Sequence, residues 1–250
     1  MKKRIDTLLF DRKIAISRNQ AQNLVKDKKV KIFGEIILKS SEMFNDNVHV
    51  EIEESENQWV SRAAIKLLHG LNFFQINIKD FICLDLGAST GGFTEVLLSK
   101  QAKKIYCIDV GTNQLSKKLI NNPKILNYPK TNARDLNSNI ISELVDIIVC
   151  DVSFVSMKKI IEPSLSFLKK SGIILGLIKP QFELENNKLL KKGIIKDKNI
   201  HNKICNDYID LFNVKFKMKV LGITPSPIKG QKGNVEFLIC VKKIFQEALN

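Results

Sequence analysis

The chain reads as an α/β protein: a doubly wound sheet, mostly parallel with an antiparallel edge strand, preceded by a small α+β module. Three observations carry that reading. From residue 60 onward, strand-like apolar runs at 81–86, 105–109, 125–128, 146–150 and 173–178 alternate with helix-like segments. Such alternation implies right-handed crossovers and a parallel sheet covered by helices on both faces. Two further runs, 219–223 and 234–242, flank a Pro- and Gly-rich stretch, Thr224 to Gly233, and suit an antiparallel pair at one edge. Residues 1–40, by contrast, hold 11 basic and 4 acidic residues and shorter periodic segments.

Length and composition bound the rest. At about 100–200 residues per domain, 250 residues admit a large domain plus a small one. The charge reverses abruptly at Glu51-Ile52-Glu53-Glu54-Ser55-Glu56, which sets a boundary near 56–60 and divides the chain into 1–58 and 59–250. A net charge of +14 fits a polyanionic partner, or equally a solvated surface in a lysine-rich sequence. Cys83, Cys107, Cys150, Cys205 and Cys240 form no C-x-x-C pair, which suits reduced thiols in a cytoplasmic protein. His49, His69 and His201 are scattered, so no metal site is expected. The N-terminal residues lack the apolar stretch of a signal peptide, and no run approaches 18 uncharged apolar residues, so no membrane association is expected.

In the first block, Arg4 to Phe10 reads as a short helix. Ser17 is placed to cap a second helix, Arg18 to Asp27. Val30 to Ile37 reads as strand, turn at Gly34, and strand. The second helix presents Arg18, Asn19, Gln22 and Lys26 outward and Ala21, Leu24 and Val25 inward. Arg4-Ile5-Asp6, Leu8-Leu9, Ser17-Arg18, Ala21, Leu24-Val25, Val30-Lys31-Ile32 and Gly34 together resemble the RNA-binding domain first described in small-subunit ribosomal protein S-four. The resemblance implies that Arg4, Arg18, Asn19, Gln22 and Lys26 meet RNA through phosphates and shape. An amphipathic helix with an ordinary solvated face is the alternative. That family has a glycine near position 28 or 29 and an asparagine before the turn glycine; here lysines and Phe33 stand there.

In the second block, an amphipathic helix spans Ser61 to Leu71. The strand Phe81 to Leu86 then runs into Gly87-Ala88-Ser89-Thr90-Gly91-Gly92, and a helix follows from Phe93 to Lys100. Strand, glycine turn and helix bring backbone N–H groups up to a nucleotide-like ligand. The turn is not the G-x-G-x-x-G of dinucleotide enzymes. The next strand ends in Asp109, followed by Val110; Asp109 lies 22 residues beyond Gly87, near the spacing at which an acid reaches ribose hydroxyls, unless it only caps a turn. Asn132 and Ala133, in the loop after the third strand, fall beside the same ligand. One glycine turn without a second phosphate-binding element favours an adenosine with a short tail, and S-adenosylmethionine fits that description.

Four residues stand out as chemistry. Asp151 and Lys179 follow strands and so project at the carboxyl edge of the sheet, where open α/β sheets bind ligands. Glu236 sits among apolar residues in the last strand pattern, and Lys66 on the helix that opens the domain. Each alone reads more readily as a surface charge at a strand end or helix face. Together they make a proton-transfer and positioning set: one lysine accepts a hydroxyl proton, oriented by Asp151, while Lys66 and Glu236 hold the hydroxyl in line.

Gly87 to Thr94, Asp109 to Leu115, Asp151-Val152-Ser153-Phe154, Ile178-Lys179-Pro180-Gln181-Phe182-Glu183 and Gly233 to Phe237 occur in one order, and on them the chain resembles the hemolysin-A-type (TlyA) family of ribosomal RNA 2′-O-methyltransferases. Their catalytic domain is similar to FtsJ- or RrmJ-type enzymes, with a Rossmann-like sheet. The resemblance implies a Lys-Asp-Lys-Glu tetrad at Lys66, Asp151, Lys179 and Glu236, S-adenosylmethionine as cofactor, and a cytidine ribose in ribosomal RNA or a ribosomal subunit as substrate. It departs where the family has Ser-Arg-Gly-Gly-Glu and this chain has Ser61-Arg62-Ala63-Ala64-Ile65. Competing readings are a nicotinamide-dependent oxidoreductase, a non-enzymatic RNA-binding protein and a hemolysin-like activity.

Overall fold

The computed structural model describes residues 2–15, 17–52, 59–184, 193–230 and 232–244. The chain divides into two compact units, Met1–Gln58 and Trp59–Asn250. The charge reversal at 53–56 and the expected boundary residues up to Gln58 lie outside the described residues.

The first unit runs β1 (Lys2–Arg4), α1 (Ile5–Asp11), α2 (Arg18–Lys26), β2 (Val30–Ile32), β3 (Glu35–Ile36), β4 (Met43–Asn45) and β5 (Glu51–Ile52). The Ser17 hydroxyl caps α2 as expected, accepting the Gln20 N–H at 3.2 Å. Arg4 ends a strand instead of opening a helix. Its backbone is extended, and the next N–H, that of Ile5, donates to Glu42 O at 2.8 Å. Local sequence could not reveal this, because β1 exists only through its antiparallel partner β4. Strand β5 was likewise hidden inside an acidic run; it pairs with β2 opposite β3. Ile5, Leu8, Leu9, Ala21, Val25, Val30 and Ile32 form the small core.

The second unit opens with α3 (Ala63–Phe73). It continues β6 (Ile82–Leu86), α4 (Gly92–Ser99), β7 (Lys104–Ile108), α5 (Lys117–Ile120), β8 (Ile125–Tyr128), β9 (Val145–Cys150), α6 (Met157–Ser164), β10 (Leu168–Ile178), α7 (Pro180–Glu183), α8 (Lys198–Asp210), β11 (Lys219–Pro225) and β12 (Phe237–Lys242). The sheet order is β11-β12-β10-β9-β6-β7-β8. Pairings among β10, β9, β6, β7 and β8 are parallel, while β12 is antiparallel to both β10 and β11. Side chains alternate between two cores. Leu84, Leu86, Tyr106 and Ile148 pack on one side with α6 and α8, and Cys83, Ile105, Ile147 and Val149 on the other with α3 and α4. Burial of both faces is why these strands read as unbroken apolar runs.

Several sequence boundaries move. The crossover between β8 and β9 holds only a short 3-10 turn, Ala133–Asp135, where a helix was expected. Strand β10 begins at Leu168, five residues before the apolar run, through a register shift between Leu168 and Ile173. Strand β12 begins at Phe237, so Glu236 precedes the strand in which its apolar neighbours had placed it. Helix α8 starts at Lys198 within a lysine-rich stretch, 188–203, of which residues 188–192 lie outside the described residues.

The chain reverses its winding direction between β6 and β9, which are neighbours in the sheet. A crevice at such a switch point, beyond the carboxyl ends of the strands, is where open α/β sheets bind ligands.

Candidate active site

The turn after β6 and the end of β9 meet at that switch point. Gly87 has φ +84° and Gly91 φ +97°, values that favour glycine. A Cβ on Gly87 would lie 2.9 Å from Asp151 O and 3.1 Å from Val152 Cγ1, so the turn presses directly on the backbone of a candidate catalytic residue. Gly92 meets the start of α3 just as closely, with Ser61 Cβ 2.9 Å from where its own Cβ would be. Gly92 and Phe93 head α4, so their N–H groups have no carbonyl one turn earlier inside the helix. The Phe93 ring is buried in the core behind the turn, which leaves its backbone as the part that can face a ligand. Ala88 is buried, and Ser89 and Thr90 are exposed.

Asp109 follows β7 and ties two loops together: its carboxylate accepts the Ser89 N–H at 2.8 Å and the Gly111 N–H at 2.7 Å. The turn-capping alternative is therefore realised, and any ribose contact would add to it. Val110, next to it, is 71% exposed, an uncovered apolar side chain at the sheet's carboxyl edge. Asn132 caps the 3-10 turn, its Oδ1 accepting the Arg134 N–H at 3.0 Å, and Ala133 is buried.

The four charged residues converge. Lys66 Nζ donates to Glu236 Oε2 at 2.5 Å and lies 4.0 Å from Asp151 Oδ2. Lys179 Nζ lies 2.5 Å from Asp151 Oδ1, an ion pair not aligned as a hydrogen bond, and donates to Ser153 Oγ at 2.9 Å. Lys66, Lys179 and Glu236 are buried and Asp151 is nearly so. Removing such charges from water is unfavourable unless they pair, and here two cations and two anions satisfy one another. Local sequence explains the placement. On α3, Lys66 falls in the buried stripe with Leu67, Gly70 and Leu71 at helical spacing. Lys179 comes at the end of β10 just before Pro180, and Gly230 N–H to Asn234 O at 2.9 Å shapes the turn that delivers Glu236.

Four features escaped the sequence reading. Ser153 partners Lys179. Phe154 is 90% exposed with φ +65°, its ring 5.4 Å from that of Phe182 beside Lys179. Asp85, inside β6, is fully buried; the Thr94 hydroxyl donates to its Oδ2 at 2.6 Å, while Oδ1 has no partner among the described residues. Burial pushes the Asp85 carboxyl up to about 7. A carboxylate interrupting an apolar run was the signal available. Burial also raises the buried thiols, Cys150 to about 12, which disfavours their thiolate forms.

In the first unit, Asp6 is the fourth. Arg4 donates to it through Nη2 at 2.8 Å and Nε at 3.1 Å, Gln22 Nε2 donates at 3.0 Å, and Arg18 Nη2 lies 3.9 Å away. Three of the expected RNA-facing residues thus share one buried carboxylate, and the Arg4 guanidinium holds that carboxyl far below the usual range. Asn19 and Lys26 are exposed on the same helix and are not drawn to Asp6.

Sheet order, glycine turn and antiparallel edge together define a methyltransferase domain. Residues 59–243 match the FtsJ-like methyltransferase family and residues 3–49 the S4 domain. The chain belongs to the FtsJ-like methyltransferases, in the S4-bearing group that includes hemolysin A and TlyA. It is 38% identical to hemolysin A of Brachyspira hyodysenteriae, over 94% of this chain and 98% of that protein. It is 34% identical to the 16S/23S rRNA (cytidine-2′-O)-methyltransferase TlyA of Mycobacterium tuberculosis, over 99% and 92% of the two chains. Among solved structures, a candidate hemolysin from Streptococcus thermophilus superposes with a TM-score of 0.75 at 33% identity, covering 97% of this chain and 89% of that one. Among the described residues no helix is long and apolar enough to cross a membrane, and no cluster of His, Cys, Asp and Glu has a metal-holding arrangement.

Proposed function

We propose that the chain transfers a methyl group from S-adenosylmethionine to the 2′-oxygen of a cytidine ribose in ribosomal RNA. The observation that carries the reading is the buried Lys66–Glu236 and Asp151–Lys179 pairs set against the glycine turn at the switch point. Family membership supports the reaction class, and the relatives named as rRNA (cytidine-2′-O)-methyltransferases support the acceptor.

The residues fit the cofactor. Gly87 to Gly92 offer backbone N–H groups at a helix start, Asp109 offers a carboxylate, Val110 an uncovered apolar face, and Asn132 and Ala133 border the same edge. When bound, S-adenosylmethionine supplies an electrophilic methyl group. The protein's part is positioning and proton movement. As a neutral amine, its ammonium proton having first left to solvent, Lys179 takes the 2′-hydroxyl proton; Asp151 and Ser153 hold its Nζ in place, and Lys66 with Glu236 fixes the hydroxyl's direction. In the first unit, Arg4, Arg18, Asn19, Gln22 and Lys26 hold RNA by its phosphates, with Asp6 aligning three of them. The proposed acceptor extends to a whole ribosomal subunit and the proposed site of action is the cytoplasm, where rRNA is found and where the free cysteines would stay reduced.

The test is thermal unfolding with S-adenosylhomocysteine and, separately, with NAD. A ligand bound well below its working concentration raises the unfolding temperature. Stabilisation by S-adenosylhomocysteine alone is expected; stabilisation by NAD alone would overturn the cofactor assignment.

A further inference from the structure

Two of the described large apolar residues stand apart. Phe154 and Phe33 are the most exposed, at 90% and 83%, and they are also the only aromatic ones among the described residues with positive φ, at +65° and +54°. Phe154 belongs to the site above. Phe33 lies in the other unit, at the tip of the β2–β3 hairpin, followed by Gly34 at φ +80°. Positive φ at both central residues is a type I′ turn, which asparagine or glycine adopts readily and a bulky aromatic residue does not.

Folding does not account for an aromatic residue there. The ring is outside the small core and makes no ring contact among the described residues. The sequence on either side of the hairpin favours a polyanion. Between residues 26 and 39 stand Lys26, Lys28, Lys29, Lys31 and Lys39 against Asp27 and Glu35. In the same unit a hollow of about 200 Å³ joins Gln22 and Lys26 of α2 to Lys28 and to Leu38 beyond the hairpin. An exposed aromatic ring among cations is how proteins hold unpaired nucleotides: charge tracks the backbone while the ring stacks on a base.

We infer that Phe33 is a stacking platform for an unpaired RNA base. The inference rests on the RNA-binding reading of the first unit and adds to it a contact outside the basic helix face. Its ligand is a single-stranded or looped-out nucleotide, not a duplex, because only an unstacked base exposes a free face.

The experiment uses the full chain as wild type, Phe33→Asn and Phe33→Tyr, with a short unstructured oligoribonucleotide and a blunt RNA duplex as probes. Asparagine suits the turn, so the unfolding temperature of Phe33→Asn is expected to hold or rise. Its affinity for the single strand should fall about tenfold, the size of one lost stacked base. Phe33→Tyr should keep that affinity, and duplex binding should be the same in all three. Equal single-strand binding by wild type and Phe33→Asn overturns the inference while leaving the RNA-binding reading intact. So does an equal loss on the duplex. If the wild type binds neither probe, the RNA-binding reading falls and takes the inference with it.

Discussion

Alanine at Gly87 should damage stability and catalysis together. Gly87 sits at φ +84°, where an L-residue with a Cβ costs about 1–2 kcal/mol. The new Cβ would also lie 2.9 Å from Asp151 O, whereas ordinary contacts begin at 3.4 Å, so the end of β9 must retreat by about half an ångström. That movement acts on the residue whose carboxylate lies 2.5 Å from Lys179 Nζ. If a misplacement of about 1 Å costs about 100-fold in rate, half of it should cost about tenfold in kcat. The strain should lower Tm by about 2–8 °C, at about 2–4 °C per kcal/mol for a domain of this size. Gly34→Ala separates the two effects: it has φ +80° and open space around the Cβ, so it suffers the strain without the collision. Calorimetry and steady-state methyl transfer on both variants provide the measurement. Wild-type kcat in Gly87→Ala, at any Tm, would refute the claim that the turn and Asp151 are mechanically coupled.

Other predictions follow from buried and exposed charge. The Asp85 carboxyl, raised to about 7 by burial, keeps its proton in the native state between about pH 4 and 7 while the unfolded chain releases it, so it makes stability fall as pH rises through that window and adds nothing to the slope above it. Asp85→Asn should remove up to about 3 kcal/mol of the difference in stability between pH 5 and pH 8, read by denaturant unfolding at those two values; superimposable pH profiles would discount the charge. Neutralising Arg18 and Lys26 together should weaken ribosomal RNA binding and flatten its dependence on salt, by about one unit of slope per lost phosphate contact; an unchanged slope would remove that face of α2 from the interface.

Much of this was legible from sequence because the relevant constraints are local. The strands β6, β7 and β9 announce themselves as apolar runs, since both faces are covered, and the glycine turn marks a place where the backbone turns left-handed, at Gly87 and Gly91. The Ser17 cap is visible for the same reason. What could not be read depends on partners far along the chain. Lys66 and Glu236 are 170 residues apart, and nothing nearby in sequence says that they touch. Strand β1 needs β4, and the early part of β10, Lys169-Lys170-Ser171-Gly172, is polar and held by its neighbours instead of by its own pattern. Glu236 looked like a strand residue because apolar neighbours flank it, yet the ladder starts one residue later. Asp6 stands in a motif with no role of its own and Asp85 inside an apolar run; their roles rest on burial and on hydrogen bonds that the fold creates.

The most direct test of the account is methyl transfer itself. Wild type and Lys179→Ala would be incubated with S-adenosylmethionine labelled on its methyl group and with separated small and large ribosomal subunits from cells lacking this activity, and the RNA digested to nucleosides. The account predicts label in 2′-O-methylcytidine with the wild type and none with Lys179→Ala, although both bind S-adenosylhomocysteine and RNA. Label on a base, or equal labelling by the two proteins, would contradict it.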